Sequence, residues 1–181
     1  MSSVHQTTTS PWASANMLDK EAMEKIEYPS LEGMRVMIIR PDDHYRKKFF
    51  GLGPAYIATA MQRCGVEVQV MSCEMWFYDD IEIARILIQS RIKIFGIGAI
   101  YPMFKEVERL CRIIRAVVPG ATIILGGALP SPVPEFALRK TGADIATIGE
   151  AELTIPPLMS ALAGEKDLEE VRGIAYIGDG E

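Results

Sequence analysis

From Gly33 onward the chain alternates between two hydrophobic patterns. Short, predominantly apolar runs at Met34–Arg40, Ile94–Gly98, Thr122–Leu125 and Asp144–Ile148 read as strands, the first two as strands covered on both faces. Between them, apolar residues recur at helical spacing. Ile57, Ala60, Met61 and Cys64 mark a helix from about Pro54 to Cys64, closed by Gly65. Asp79 and Asp80 open a helix carrying Ile83, Ile86 and Leu87. Met103–Val118 keeps Val107, Leu110, Cys111, Ile114 and Val117 on one stripe until Pro119-Gly120 stops it. Pro134–Lys140 and Glu152–Ala163 complete the helices. One run differs. In Val66–Met71 the valines alternate with Glu67 and Gln69, the pattern of a half-exposed edge strand.

Strands that alternate with helices imply a doubly wound α/β fold, a five-stranded parallel sheet with helices on both faces. An edge position for the second strand and buried positions for the first and third give the order 2-1-3-4-5, the flavodoxin-like or Rossmann-like arrangement. In that order a crevice opens between strands one and three at their carboxyl ends, which is where ligands bind. Residues 1–30 form a Ser/Thr-rich tail expected to be mobile, with a short amphipathic helix through Leu18, Ala22 and Ile26 that Pro29 ends. Residues 31–167 form the domain. Residues 168–181 read as the truncated start of a linker or next unit, with a strand at Val171–Ile177 followed by a turn.

Composition narrows the function classes. The 181 residues allow one ordinary domain and a tail, and 49% hydrophobic with 24% charged residues is the balance of a soluble globular chain. A net charge of −5 with scattered basic residues leaves no nucleic-acid footprint. No apolar run is long enough to span a bilayer, and the N-terminus lacks the basic start and apolar core of a secretion signal, so a cytoplasmic address is expected. Cys64, Cys73 and Cys111 form no C-x-x-C pair or zinc pattern and are expected as small core residues.

Small residues crowd the loops that leave the strand ends. Strand one leads through Pro41, Asp42, Asp43 and His44 to Gly51-Leu52-Gly53-Pro54, where Pro suits a helix start. Strand three exits through Gly98-Ala99-Ile100-Tyr101, strand four through Gly126-Gly127-Ala128, and strand five through Gly149-Glu150-Ala151-Glu152. Convergence of these exits indicates a ligand that approaches the backbone closely. No loop carries G-x-G-x-x-G or G-x-x-x-x-G-K, which argues against a nucleotide-phosphate cradle. Glu150 and Glu152 are expected to favour the N-terminus of the following helix. Trp76-Phe77-Tyr78 is expected to cover the end of the edge strand or to seat a partner domain.

Gly53-Pro54-Ala55-Tyr56-Ile57-Ala58, Gly65-Val66-Glu67-Val68, Val118-Pro119-Gly120-Ala121 and Ile124-Leu125-Gly126-Gly127-Ala128 resemble, in order and spacing, the cobalamin-binding N-terminal domains of radical S-adenosylmethionine enzymes. Pro134-Glu135, Gly142-Ala143-Asp144, Gly149-Glu150-Ala151-Glu152 and Val171-Arg172-Gly173-Ile174-Ala175-Tyr176 extend the resemblance to residues 34–178. It implies a cobalamin-binding module for a methyltransferase or cyclase, not catalytic alone, with the corrin ring over the strand ends. The nucleotide tail would enter beside Gly98, Ala99, Gly126 and Gly127. The cofactor-binding set implied is Leu52, Gly53, Pro54, Tyr56, Gly98, Ala99, Tyr101, Gly126, Gly127, Ala128, Gly149 and Glu150.

Two departures shape the expectation. The chain has no C-x-x-x-C-x-x-C, so the 4Fe-4S cluster and S-adenosylmethionine would belong to a barrel domain supplied in cis or in trans. Related cobalamin domains carry D-x-H-x-x-G after strand one. Asp42-Asp43-His44 matches its first half, making His44 a candidate cobalt ligand that Asp42 would orient, but Lys47 replaces the glycine and favours a solvated loop. The rival is a cofactor-free docking or regulatory module of the same fold. A signalling receiver would need a phosphoacceptor Asp at the third strand's end, where Gly98-Ala99 stands.

Overall fold

The computed structural model describes residues 3–7, 29–42, 51–76 and 78–178, with the backbone alone at Glu74. The tail helix expected through Leu18 to Ile26, the loop with His44 and Lys47, Phe77 and the terminal turn lie outside the described residues.

Seven strands form one sheet. In chain order they are β1 Val4–Gln6, β2 Arg35–Arg40, β3 Glu67–Ser72, β4 Ile94–Gly98, β5 Thr122–Gly126, β6 Ile145–Thr147 and β7 Ile174–Ile177. The helices are α1 Leu52–Arg63, the single turn α2 Cys73–Trp76, α3 Asp80–Ser90, α4 Phe104–Val117, α5 Pro134–Thr141 and α6 Ile155–Leu162. The sheet order is β1-β7-β6-β5-β4-β2-β3. Its parallel part, β3-β2-β4-β5-β6, is the expected doubly wound arrangement, with the alternating strand at the edge.

The strand runs are apolar throughout because both faces are covered. Met37, Ile39, Phe95, Ile97, Ile123 and Leu125 point into one core, under α3, α4 and α5. Val36, Ile38, Ile124 and Ile145 point into the other, under α1 and α6. Local chemistry sets the helix ends. Asp79 and Glu82 cap α3 reciprocally, each carboxylate accepting the other residue's backbone N–H. Gly142 closes α5 in the left-handed region at φ 73°.

The strand count is larger than the five expected. β7 pairs antiparallel with β6, and β1, from within the stretch read as tail, pairs antiparallel with β7. A short β6 would otherwise be an open edge. The chain turns back after α6 through a 3-10 turn at Leu168–Glu170, and Ile174, Ala175 and Tyr176 bury themselves beside β6. Thr7 ties β1 on, its hydroxyl donating to the Ile174 carbonyl at 3.0 Å. The strand expected at Val171–Ile177 is thus β7, Ile174–Ile177, a strand of this sheet. A second difference concerns α6, which starts at Ile155 instead of Glu152 and has no acidic residue in its first turn. Pro156 and Pro157 lack N–H groups and fit only the opening turn, so they set the start. Glu150 and Glu152 therefore do not cap it.

Candidate functional site

The connections diverge where the sheet order predicts. β2 leads to α1 on one face, whereas β4 leads through Tyr101–Met103 to α4 on the other. Beside this divergence lies a cavity of about 400 Å3 between the sheet and helices α1 and α6, a size proper to a small-molecule site.

Glycines make the space. Gly96 and Gly98 stand two residues apart in β4 and share the face of Ile38 and Ile124, to which Gly96 is registered on either side. A Cβ at Gly96 would meet only Ile38 Cγ1 at 3.9 Å, and one at Gly98 would meet nothing within 4 Å. Gly126, registered with Gly98, is tighter, since a Cβ there would approach Thr147 Oγ1 to 3.2 Å. Ile57 and Met61 from α1 and Ile155 from α6 form the walls. Side chains at the glycine positions would fill the slot.

Gly127 serves the framework instead. It has φ +85°, and a Cβ would lie 2.7 Å from the Ala99 carbonyl oxygen. This closeness lets the Ala99 N–H donate to the Gly126 carbonyl and the Leu129 N–H donate to the Ala99 carbonyl, both at 3.0 Å. The Ser131 hydroxyl donates to the Gly127 carbonyl at 3.2 Å and accepts from the Gly149 N–H at 3.0 Å. The exits of β4, β5 and β6 are thereby laced into one rim.

The cavity is mainly apolar. Among the described residues lining it, Arg40 is the one cation, while Glu150 and Glu152 bring carboxylates at the β6 exit. The Thr147 hydroxyl donates to the Leu125 carbonyl at 3.3 Å. The cysteines lie elsewhere, all buried and free. Burial, reinforced by the Glu106 carboxylate, pushes the Cys73 thiol up to about 12, and burial does the same for Cys111. No group of three or more His, Cys, Asp or Glu suited to a metal occurs among the described residues.

Of the residues implicated by sequence, Gly53, Pro54, Gly98, Ala99, Gly126, Gly127, Gly149 and Glu150 line the cavity. Leu52, Tyr56, Tyr101 and Ala128 do not. Leu52 and Tyr101 are 71% and 68% exposed, and Tyr101 stacks on Phe104. His44 falls outside the described residues. Sequence reasoning missed Gly96, whose mid-strand position was a usable signal, and Arg40, Thr147, Ile57, Met61 and Ile155, which had none beyond strand or helix membership.

A family profile described as the B12 binding domain matches residues 44–158, which include α1 and the rim loops that follow it. The chain belongs to the B12-binding domain family. It is a cobalamin-binding module of α/β fold. This B12-binding domain is 26% identical over 145 residues to the cytidylyl-2-hydroxyethylphosphonate methyltransferase of Streptomyces wedmorensis, a match covering 70% of this chain and 27% of that protein. Its fold matches that of the radical S-adenosylmethionine methyltransferase TsrM from Kitasatospora setae with cobalamin and a [4Fe-4S] cluster bound. There the TM-score is 0.70 at 17% identity, over 77% of this chain and 28% of that one. It also matches the cobalamin-dependent radical enzyme OxsB with aqua-cobalamin and S-adenosylmethionine bound, with TM-score 0.72 at 19% identity over 88% of this chain and 22% of that one. The B12-binding domain therefore spans less than a third of each of these proteins.

The residues present fit the cofactor. A flat aromatic base requires an apolar slot that backbone can line closely, and Gly96 and Gly98 keep such a slot clear of side chains.

Proposed function

We propose that this domain holds cobalamin with the nucleotide tail in the cavity between β4, β5, α1 and α6, and serves a radical S-adenosylmethionine reaction, methyl transfer in the first instance. The observation that carries the reading is the open space above Gly96 and Gly98 beside the crossing point of the sheet. Gly53, Pro54, Gly98, Ala99, Gly126, Gly127, Gly149 and Glu150 would surround the tail. Leu52, Tyr56, Tyr101 and Ala128, outside the cavity, would offer surface to the corrin ring. Bound cobalamin would supply cobalt-centred methyl-transfer chemistry. The protein's part is to hold and orient the cofactor, with Ile57, Met61 and Ile155 excluding water from the tail.

The cluster and S-adenosylmethionine would sit in a barrel domain, in cis or in trans, because the chain holds no C-x-x-x-C-x-x-C. The matched methyltransferase, of which this chain spans 27%, supports that arrangement. Among the described residues no helix is long and apolar enough to cross a membrane, and we place the reaction in the cytoplasm. Protein mixed with hydroxocobalamin should retain corrinoid absorbance through gel filtration. Elution of all colour with the small molecules would refute the proposal and favour a cofactor-free docking module.

A further inference from the structure

Parallel register divides the cavity into two layers. Gly96 is registered with Ile38 on one side and Ile124 on the other, and Ile124 with Ile145, so these four share one face at mid-strand. The three isoleucines belong to the same apolar cluster as Met61 of α1 and Ile155 of α6. Every side chain of this inner layer is therefore apolar. Two residues further along each strand, towards the carboxyl ends, stand Arg40, Gly98, Gly126 and Thr147. Polar side chains begin only in this outer layer, and Glu150 and Glu152 follow at the β6 exit.

The backbone of the inner layer has no hydrogen bonds to offer either. β4 is paired along both edges, with β2 and with β5, so its N–H and C=O groups are taken by ladder bonds. In the outer layer the Thr147 hydroxyl already gives its proton to the Leu125 carbonyl at 3.3 Å. A polar group brought into the inner layer would lose its water and gain no partner, whereas an apolar ring loses nothing there.

We infer that the domain selects among corrinoids by the polarity of the base that ends their tail, accepting carbon-edged rings and discriminating against purines. The inference rests on the proposed placement of the tail and adds a ligand specificity to it. The six-membered ring of dimethylbenzimidazole carries carbon alone at its edge. That of adenine carries an amine and two ring nitrogens, each hydrogen-bonded to water outside the protein. The inner layer also holds no donor for a ring nitrogen, so recognition does not require one. A cresol ring in place of the base satisfies the same space.

Dissociation constants are measured by absorbance titration of the full chain with cobalamin, its cresolyl analogue, pseudocobalamin (adenine as the base) and cobinamide, which has no base. Cobalamin and the cresolyl analogue should bind within a few-fold of each other. Pseudocobalamin should bind about 5- to 150-fold more weakly, the range for a polar group buried without a partner. Gly96→Ser compared with Gly96→Ala assigns the effect to the inner layer. A Cβ at Gly96 meets only Ile38 Cγ1 at 3.9 Å, so both variants should keep the fold, with thermal melts as the check. The two narrow the slot by nearly the same volume, but only serine adds a hydroxyl, which should shift the preference several-fold towards pseudocobalamin relative to alanine. The wild-type comparison decides alone should the variants not fold. Equal affinity for cobalamin and pseudocobalamin, a cresolyl analogue bound as weakly as pseudocobalamin, or identical preferences in the folded serine and alanine variants overturns the selectivity alone. A wild type that binds cobalamin no tighter than cobinamide overturns the placement of the tail with it. One that binds none of the four overturns the cobalamin reading as well.

Discussion

Gly98→Val tests whether the cavity is ligand space or merely a packing gap. A Cβ at Gly98 meets no atom within 4 Å, and Gly98 is not among the glycines with positive φ, so valine enters without strain. In a strand interior glycine is poorer than other residues by about 0.5–1 kcal/mol, and valine suits strands. The variant should therefore melt at or slightly above the wild-type temperature. Binding should move the other way. A valine side chain claims part of the roughly 400 Å3 slot from the tail. Overpacking of a fitted site costs about 1–3 kcal/mol, hence a dissociation constant for hydroxocobalamin raised about 5- to 150-fold. Gly127→Val supplies the contrast. With φ +85° and the Ala99 oxygen 2.7 Å from the new Cβ, it should lose both thermal stability and binding. Parallel melting curves and absorbance titrations read both quantities. A Gly98→Val protein that binds cobalamin as tightly as wild type would refute the placement of the tail. One that loses stability as Gly127→Val does would refute the claim that the slot is empty of protein.

Other outcomes follow from the same structure. Asp144 accepts the Ile123 N–H at 2.7 Å and pairs with Arg115, which also donates to the Ala121 and Gly142 carbonyls. Asp144→Ala should cost about 1.5–3 kcal/mol in denaturant unfolding, and an unchanged midpoint would sink this account. Cys73 and Cys111 ionise at about 12 when folded against 9.0 ordinarily, so the folded state binds more protons between those values. Their contribution is complete below pH 9 and is lost as pH rises towards 12. Urea midpoints should thus fall more steeply from pH 8 to 10.5 in wild type than in a Cys73→Ala/Cys111→Ala variant, and equal slopes would contradict the burial argument. His44→Ala should leave cobalamin affinity nearly unchanged, with no protein nitrogen splitting in the paramagnetic resonance spectrum of the reduced cofactor. Nitrogen splitting that disappears in the variant would instead make His44 the cobalt ligand.

The periodicity of the chain determined much of this protein by itself. Met34–Arg40 and Ile94–Gly98 read as strands covered twice, because they are apolar almost throughout, and the alternation in Val66–Met71 placed its strand at the edge. Those two facts set the sheet order, and the order placed the crevice at Gly98 and Gly126. The glycines of the rim were legible as a group because turns and close approaches select them. Tertiary structure decided what depends on neighbours distant in sequence. The direction of β7 and the addition of β1 follow from the need to cover β6, which no local pattern encodes. The division between Gly98 as open space and Gly127 as framework depends on which backbone stands opposite each one, Ala99 in the latter case.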